Sequence, residues 1–164
     1  MRAITLAIFV FIADAACAAD EGGYVGAGFG NASVTTCQKF TSTGGGTCGS
    51  SEAFRVFGGY AFNRALAIEA GLSDLGSIGT AFELSGVVSL PFSEHFAAYG
   101  KLGAVSGDSN SNYDRINNNV PKLGDATVGV GLRIDVSPRF AVRLEYQIFE
   151  GVDLATLGAL LRFE

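Results

Sequence analysis

"VRLEYQIF", residues 142–149, puts Val142, Leu144, Tyr146 and Ile148 on one face of a strand and Arg143, Glu145 and Gln147 on the other. Successive strand side chains point to opposite faces, so a period of two separates a charged set from an apolar one. A soluble sheet would turn the charges to water and bury the apolar face, whereas a membrane barrel does the reverse. Alternation alone does not choose between them.

The same pattern recurs along the chain. It predicts eight strands: Gly23 to Ser33, Ala53 to Phe62, Ala65 to Asp74, Ala81 to Phe92, Phe96 to Ser106, Ala126 to Val136, Phe140 to Phe149 and Leu154 to Phe163. The apolar parity carries Phe54, Val56 and Tyr60, then Leu66, Ile68 and Leu72, and later Val128, Val130, Leu132 and Ile134. The other parity collects Arg55, Glu69, Glu83, Lys101, Arg133, Asp135, Arg143, Glu145 and Arg162 among many Gly, Ser and Ala. Its five bases and four acids nearly balance, which favours ion pairs filling a lumen over a channel lined by one sign of charge.

Three further features select the barrel. The charged parity is spaced with glycines such as Gly26, Gly59, Gly71, Gly103 and Gly131, which leave room for long side chains in a narrow interior. Phe62, Phe92, Phe96, Phe140 and Phe163 gather beside the tight turns at Asn63-Arg64, Ser93-Glu94-His95 and Ser137-Pro138-Arg139, where an interfacial aromatic girdle is expected. At the opposite end lie two long polar segments, Val34 to Glu52 and Gly107 to Asp125, and two short loops around Gly76 and Gly151. An even strand count with short turns at one end and longer loops at the other is the bacterial outer-membrane pattern, and closure leaves no unpaired edge in lipid. The expected fold is all-β, an eight-stranded antiparallel up-and-down transmembrane β-barrel.

The first residues, "MRAITLAIFVFIADAACAAD", read as an export signal with Arg2 in the basic region and Ala16-Cys17-Ala18 as the cleavage site. Residues 1–18 are therefore expected to be a signal peptide and residues 19–164 a single barrel domain. Beyond the signal no apolar run approaches the ~20 residues of a membrane helix, although mean hydropathy is positive. Cys37 and Cys48 remain in the exported chain, where an even count reads as a disulfide closing the first long loop; two free thiols is the alternative. The net charge of −5, with no Lys/Arg cluster, offers no nucleic-acid footprint.

"VFGGYAFNRALAIEAGLSDLG" (56–76), "YGKLGAV" (99–105) and "VGVGLRIDVSPRFAVRLEYQ" (128–147) resemble the transmembrane domain of the outer membrane protein A family. The resemblance covers the second to eighth strands and is most specific over 128–147. It implies that Glu69, Lys101, Arg143 and Glu145 belong to a lumenal salt-bridge network. Arg133 departs from the family, standing where the pattern can carry an acid. The chain also stops after the eighth strand, so a peptidoglycan-binding domain is not implied. Its final "RFE" places Phe163 one residue before the end, whereas barrel proteins usually finish on the aromatic that the assembly machinery reads.

Catalytic and metal chemistry find little support. His95, the single histidine, lies in a tight turn with Ser93 and Glu94, which cannot easily converge as an acid–base set. "DSNSNYD" (108–114) spaces oxygen ligands as a calcium loop would, but Tyr113 replaces the required Gly and Asn119 the bidentate Glu. The expectation is a monomeric, non-enzymatic barrel without cofactor or metal, in the bacterial outer membrane. It would meet outer-membrane lipid and lipopolysaccharide, engage the assembly machinery through its C-terminal strand, and present loops to host or phage. A small gated ion or solute pore is the alternative, and a lipid A-modifying barrel enzyme a third class.

Overall fold

The computed structural model describes residues 21–34, 50–76, 78–109, 125–149 and 152–163. Eight strands follow in chain order: β1 (Gly22–Val34), β2 (Ser50–Ala61), β3 (Leu66–Asp74), β4 (Gly79–Pro91), β5 (Phe96–Ser109), β6 (Asp125–Asp135), β7 (Phe140–Phe149) and β8 (Val152–Phe163). Each pairs antiparallel with its neighbours in sequence, and β1 pairs with β8 from Gly23↔Phe163 to Val34↔Val152. The sheet is a closed ring, so no strand edge is left open.

The turns at one end share a construction. In residues 62–65, 92–95 and 136–139 the second turn residue is Asn63, Ser93 or Ser137, and its side-chain oxygen accepts backbone N–H groups as the chain reverses. Asn63 Oδ1 takes Ala65 N at 2.8 Å and Leu66 N at 2.9 Å; Ser93 Oγ takes Phe96 N at 3.1 Å; Ser137 Oγ takes Phe140 N at 3.0 Å. Asn and Ser are turn formers for this reason. At the other end, the β3–β4 connection turns at Gly76, whose φ of +61° suits glycine, while Asp74 Oδ1 accepts Gly76 N at 2.9 Å.

The strands outrun the sequence-based boundaries at the long-loop end. β2 begins at Ser50 rather than Ala53, β4 at Gly79 rather than Ala81 and β8 at Val152 rather than Leu154, while β5 continues to Ser109 rather than Ser106. Backbone pairing such as Ser33↔Ser50 and Thr80↔Asp108 carries the sheet above its apolar band. Apolar alternation marks only the part that faces lipid, so it is blind to this polar collar. The strands also stop slightly short at the turn end: β2, β4 and β6 end at Ala61, Pro91 and Asp135, and β3 starts at Leu66.

Outside, large apolar side chains are exposed on every strand, among them Phe29 (71%), Leu102 (66%) and Leu90 (65%). A belt of that size in water would drive aggregation, and it belongs against hydrocarbon. Inside, the side chains stack in layers. At the long-loop end, Ala32, Ala53, Leu75, Ala81, Val105, Phe149, Val152 and Leu154 form an apolar core. Below it lies a buried polar layer, and nearer the short turns a smaller apolar group of Phe57, Ala141 and Leu160 with Tyr24 against it. Phe149 and Leu154 thus share the parity of Arg143 and Thr156, so the lumen-facing parity is polar only along part of its height.

The signal region and the Cys37–Cys48 segment lie outside the described residues. So does the "DSNSNYD" loop beyond Ser109.

Candidate functional site: the charged lumen

Arg55, on β2, is 2% exposed and reaches across the barrel to three carboxylates. Its Nη2 lies 2.8 Å from Glu83 Oε2 and 3.2 Å from Glu69 Oε1, and its Nη1 donates to Glu145 Oε1 and, at 2.6 Å, to Gln147 Oε1. Lys101 Nζ on β5 sits among the same acids, 2.9 Å from Glu83, 3.0 Å from Glu69 and 3.2 Å from Glu145. From β7, Arg143 donates Nη1 to Glu69 Oε2 at 2.6 Å and Nη2 to Glu145 Oε2 at 2.7 Å. Three bases and three acids thereby close into one knot whose formal charge is zero.

Neutral partners complete it. Tyr99 Oη donates to Glu145 Oε2 at 2.7 Å and accepts Arg143 Nε at 3.0 Å; Tyr24 Oη donates to Glu69 Oε2 at 3.0 Å. Gln147 Nε2 donates to Thr127 Oγ1 at 2.8 Å, which ties the knot to β6. The Arg143 guanidinium also stacks on two rings, 4.6 Å from the Phe57 centroid and 4.4 Å from that of Tyr99. Charges removed from water are costly unless paired and hydrogen-bonded, and this packing pairs every one of the six.

Glycines make the room. A Cβ on Gly26 would strike the Phe57 ring, one on Gly131 the Tyr99 ring, and one on Gly59 would lie 2.5 Å from Tyr24 Oη. Gly71 gives Arg55 its passage, with Nη2 3.1 Å from where a Cβ would stand. The sequence pattern named the glycines but not the rings they admit. Tyr24, Phe57, Tyr99 and Thr127 were missed, and Gln147, placed on the charged face, was not assigned to the network, although each shares the lumen-facing parity of a charged neighbour on its own or the paired strand.

Of the eight expected network residues, Arg55, Glu69, Glu83, Lys101, Arg143 and Glu145 come together. Arg133 and Arg162 do not join them. Both pair instead with Asp135 near the short turns, Arg133 Nε lying 3.2 Å from Asp135 Oδ1 and Arg162 Nη2 bonding the same oxygen. Phe62, Phe92, Phe96, Phe140 and Phe163 all point outward at this end, with Phe92 the most exposed at 65%. Among the described residues no group of three or more His, Cys, Asp or Glu is placed to hold a metal ion.

Closed antiparallel topology, an apolar exterior and an ion-paired interior together define an eight-stranded transmembrane β-barrel. The chain belongs to the family described as the OmpA-like transmembrane domain, which it matches over residues 18–158. Among solved structures it is similar to a de novo designed transmembrane β-barrel, with a TM-score of 0.62, 17% identity and coverage of 90% of this chain and 100% of the other. It is also similar to the N-terminal β-barrel domain of Pseudomonas aeruginosa OprF (TM-score 0.60, 14% identity, 87% and 98% covered). A third is Ail, the attachment invasion locus protein of Yersinia pestis, in complex with the heparin analogue sucrose octasulfate (TM-score 0.54, 16% identity, 88% and 100% covered). At these identities the likeness is one of fold. No curated protein matches the chain.

Proposed function

We propose that the protein is a structural, non-enzymatic barrel of the bacterial outer membrane, monomeric, whose lumen is plugged by its ion pairs and whose long loops face outward. The observation that carries this reading is the neutral six-charge knot, which spans the ring from β2 and β3 to β7 and leaves its charged groups engaged with one another. The apolar layer of Phe149, Val152 and Leu154 above it adds a second barrier to water, which favours a plug over a solute pathway.

The outward phenylalanines at the short turns serve as the interfacial girdle, and the apolar band meets lipid and the acyl chains of lipopolysaccharide. The assembly machinery engages β8. Loop contacts with host or phage follow the same orientation.

The test is a deletion strain challenged with detergent and chelator. Loss of envelope integrity, restored by the wild-type gene and by a variant with exchanged loops, is expected; unchanged resistance together with an altered lipid A mass spectrum would replace this reading with an enzymatic one.

A further inference from the structure

The short-turn mouth of the barrel holds a second polar site, which borders the knot at Arg143 and Tyr99. A cavity of about 90 Å³ opens there, several times the ~10–15 Å³ that one water requires. Among the described residues, Arg64, Arg133, Arg139, Arg143 and Arg162 line it together with one carboxylate, Glu21. Arg143 is already committed to Glu69 and Glu145. Arg133 and Arg162 share one oxygen of Asp135, so two cations divide one negative charge. Among the described residues, the Arg139 guanidinium has no ion-pair partner.

Arg133 Nε is buried and lies 3.2 Å from Asp135 Oδ1, but it is not aligned on that oxygen as a hydrogen bond, nor does any other described acceptor receive it. A poorly aligned buried donor gains from an acceptor that meets it along its N–H direction. Guanidinium forks match the paired oxygens of a tetrahedral oxyanion, and a semi-enclosed site strengthens that match by displacing water. The surplus of arginine over carboxylate among the described residues, the room and the misaligned Nε all point to the same ligand.

We propose that this mouth binds a phosphate group, held by Arg133, Arg139 and Arg162 beside Asp135. The phosphate could be free in solution or the headgroup of a phospholipid in the adjoining leaflet; the outward Phe140 and Phe163 place the mouth where such headgroups would lie. The chemistry of recognition is common to both sources.

The test is inorganic phosphate titrated into the full folded protein in a neutral detergent, followed by the NMR signals of the arginine Nε–H groups at constant ionic strength in chloride. A saturable shift at Arg133 is expected, with affinity lowered tenfold or more in Arg139→Gln and in Arg133→Gln and less in Arg139→Lys. Arg139 lies in an exposed turn, so its variants report on binding even if Arg133→Gln folds poorly. The same signals are then read in phosphatidylcholine bilayers with and without phosphatidylglycerol. A phosphatidylglycerol-dependent shift assigns the site to a lipid headgroup, and phosphate binding that phosphatidylglycerol leaves unchanged assigns it to free phosphate. No saturable response to either, or a response that survives Arg139→Gln undiminished, overturns the proposal.

Discussion

Arg143 on β7 and Glu69 on β3 stand 74 positions apart in the chain and 2.6 Å apart in space. Strands four places apart in a ring of eight face each other, so this bond runs straight across the lumen and braces opposite walls. Removing one partner strands the other as a buried charge, which costs about 3–5 kcal/mol. Arg143→Ala and Glu69→Ala are each expected to lose that much in urea unfolding followed by gel mobility. The double variant should lose clearly less than the sum, because the two share one interaction. Strict additivity would mean that they do not communicate.

Tyr99 bridges the same pair of charges from the side. Tyr99→Phe keeps the ring under Arg143 but removes the donor to Glu145 and the acceptor for Arg143 Nε. A loss of about 1–3 kcal/mol is expected, the range for a buried hydrogen-bonding group left unpaired. A neutral result in the same unfolding assay would show that water takes over both vacated contacts.

The glycines separate by face. Gly131→Ala would drive a methyl group into Tyr99, whereas Gly100→Ala, on the outer face of β5, meets nothing nearer than a backbone oxygen at 3.9 Å. Overpacking costs about 1–3 kcal/mol, so the first change should destabilise and the second should not. Equal effects on the unfolding midpoint would argue against the inside–outside assignment.

That assignment was legible from residues 142–149 because every second position there obeys it. The six central charges follow from the same parity, whereas closure rests on the interior glycines, the aromatic girdle and the unequal loops at the two ends. The layering was harder to read, since Phe149 and Leu154 look like breaks in the lumenal pattern when they are in fact the apolar layer above the charges. Arg133 and Arg162 were misplaced for a related reason: parity gives the face of a residue but not its height, and pairing with Asp135 needs the register of β6 against the β8 end. The tyrosines were hidden because an aromatic on a strand reads as lipid-facing until its glycine opposite is known.

On the outer wall, Leu132 and Leu144 sit opposite each other on β6 and β7, both about half exposed. Leu144→Arg should cost about 2–4 kcal/mol if it faces the hydrocarbon midplane, as charges do on the lipid side of barrels. Folding yield into phosphatidylcholine vesicles measures it. If Leu144→Arg folded as well as wild type, the face would be wet, and a soluble sandwich would regain its standing.

The most direct test of the plugged lumen is electrical. Purified, folded protein is reconstituted into planar bilayers and recorded at symmetric salt across a wide voltage range. If the knot and the apolar layer of Phe149 and Leu154 block the lumen in series, as proposed, no reproducible unitary current is expected from the wild type. Steady, salt-scaled unitary steps from the wild-type protein would contradict the account.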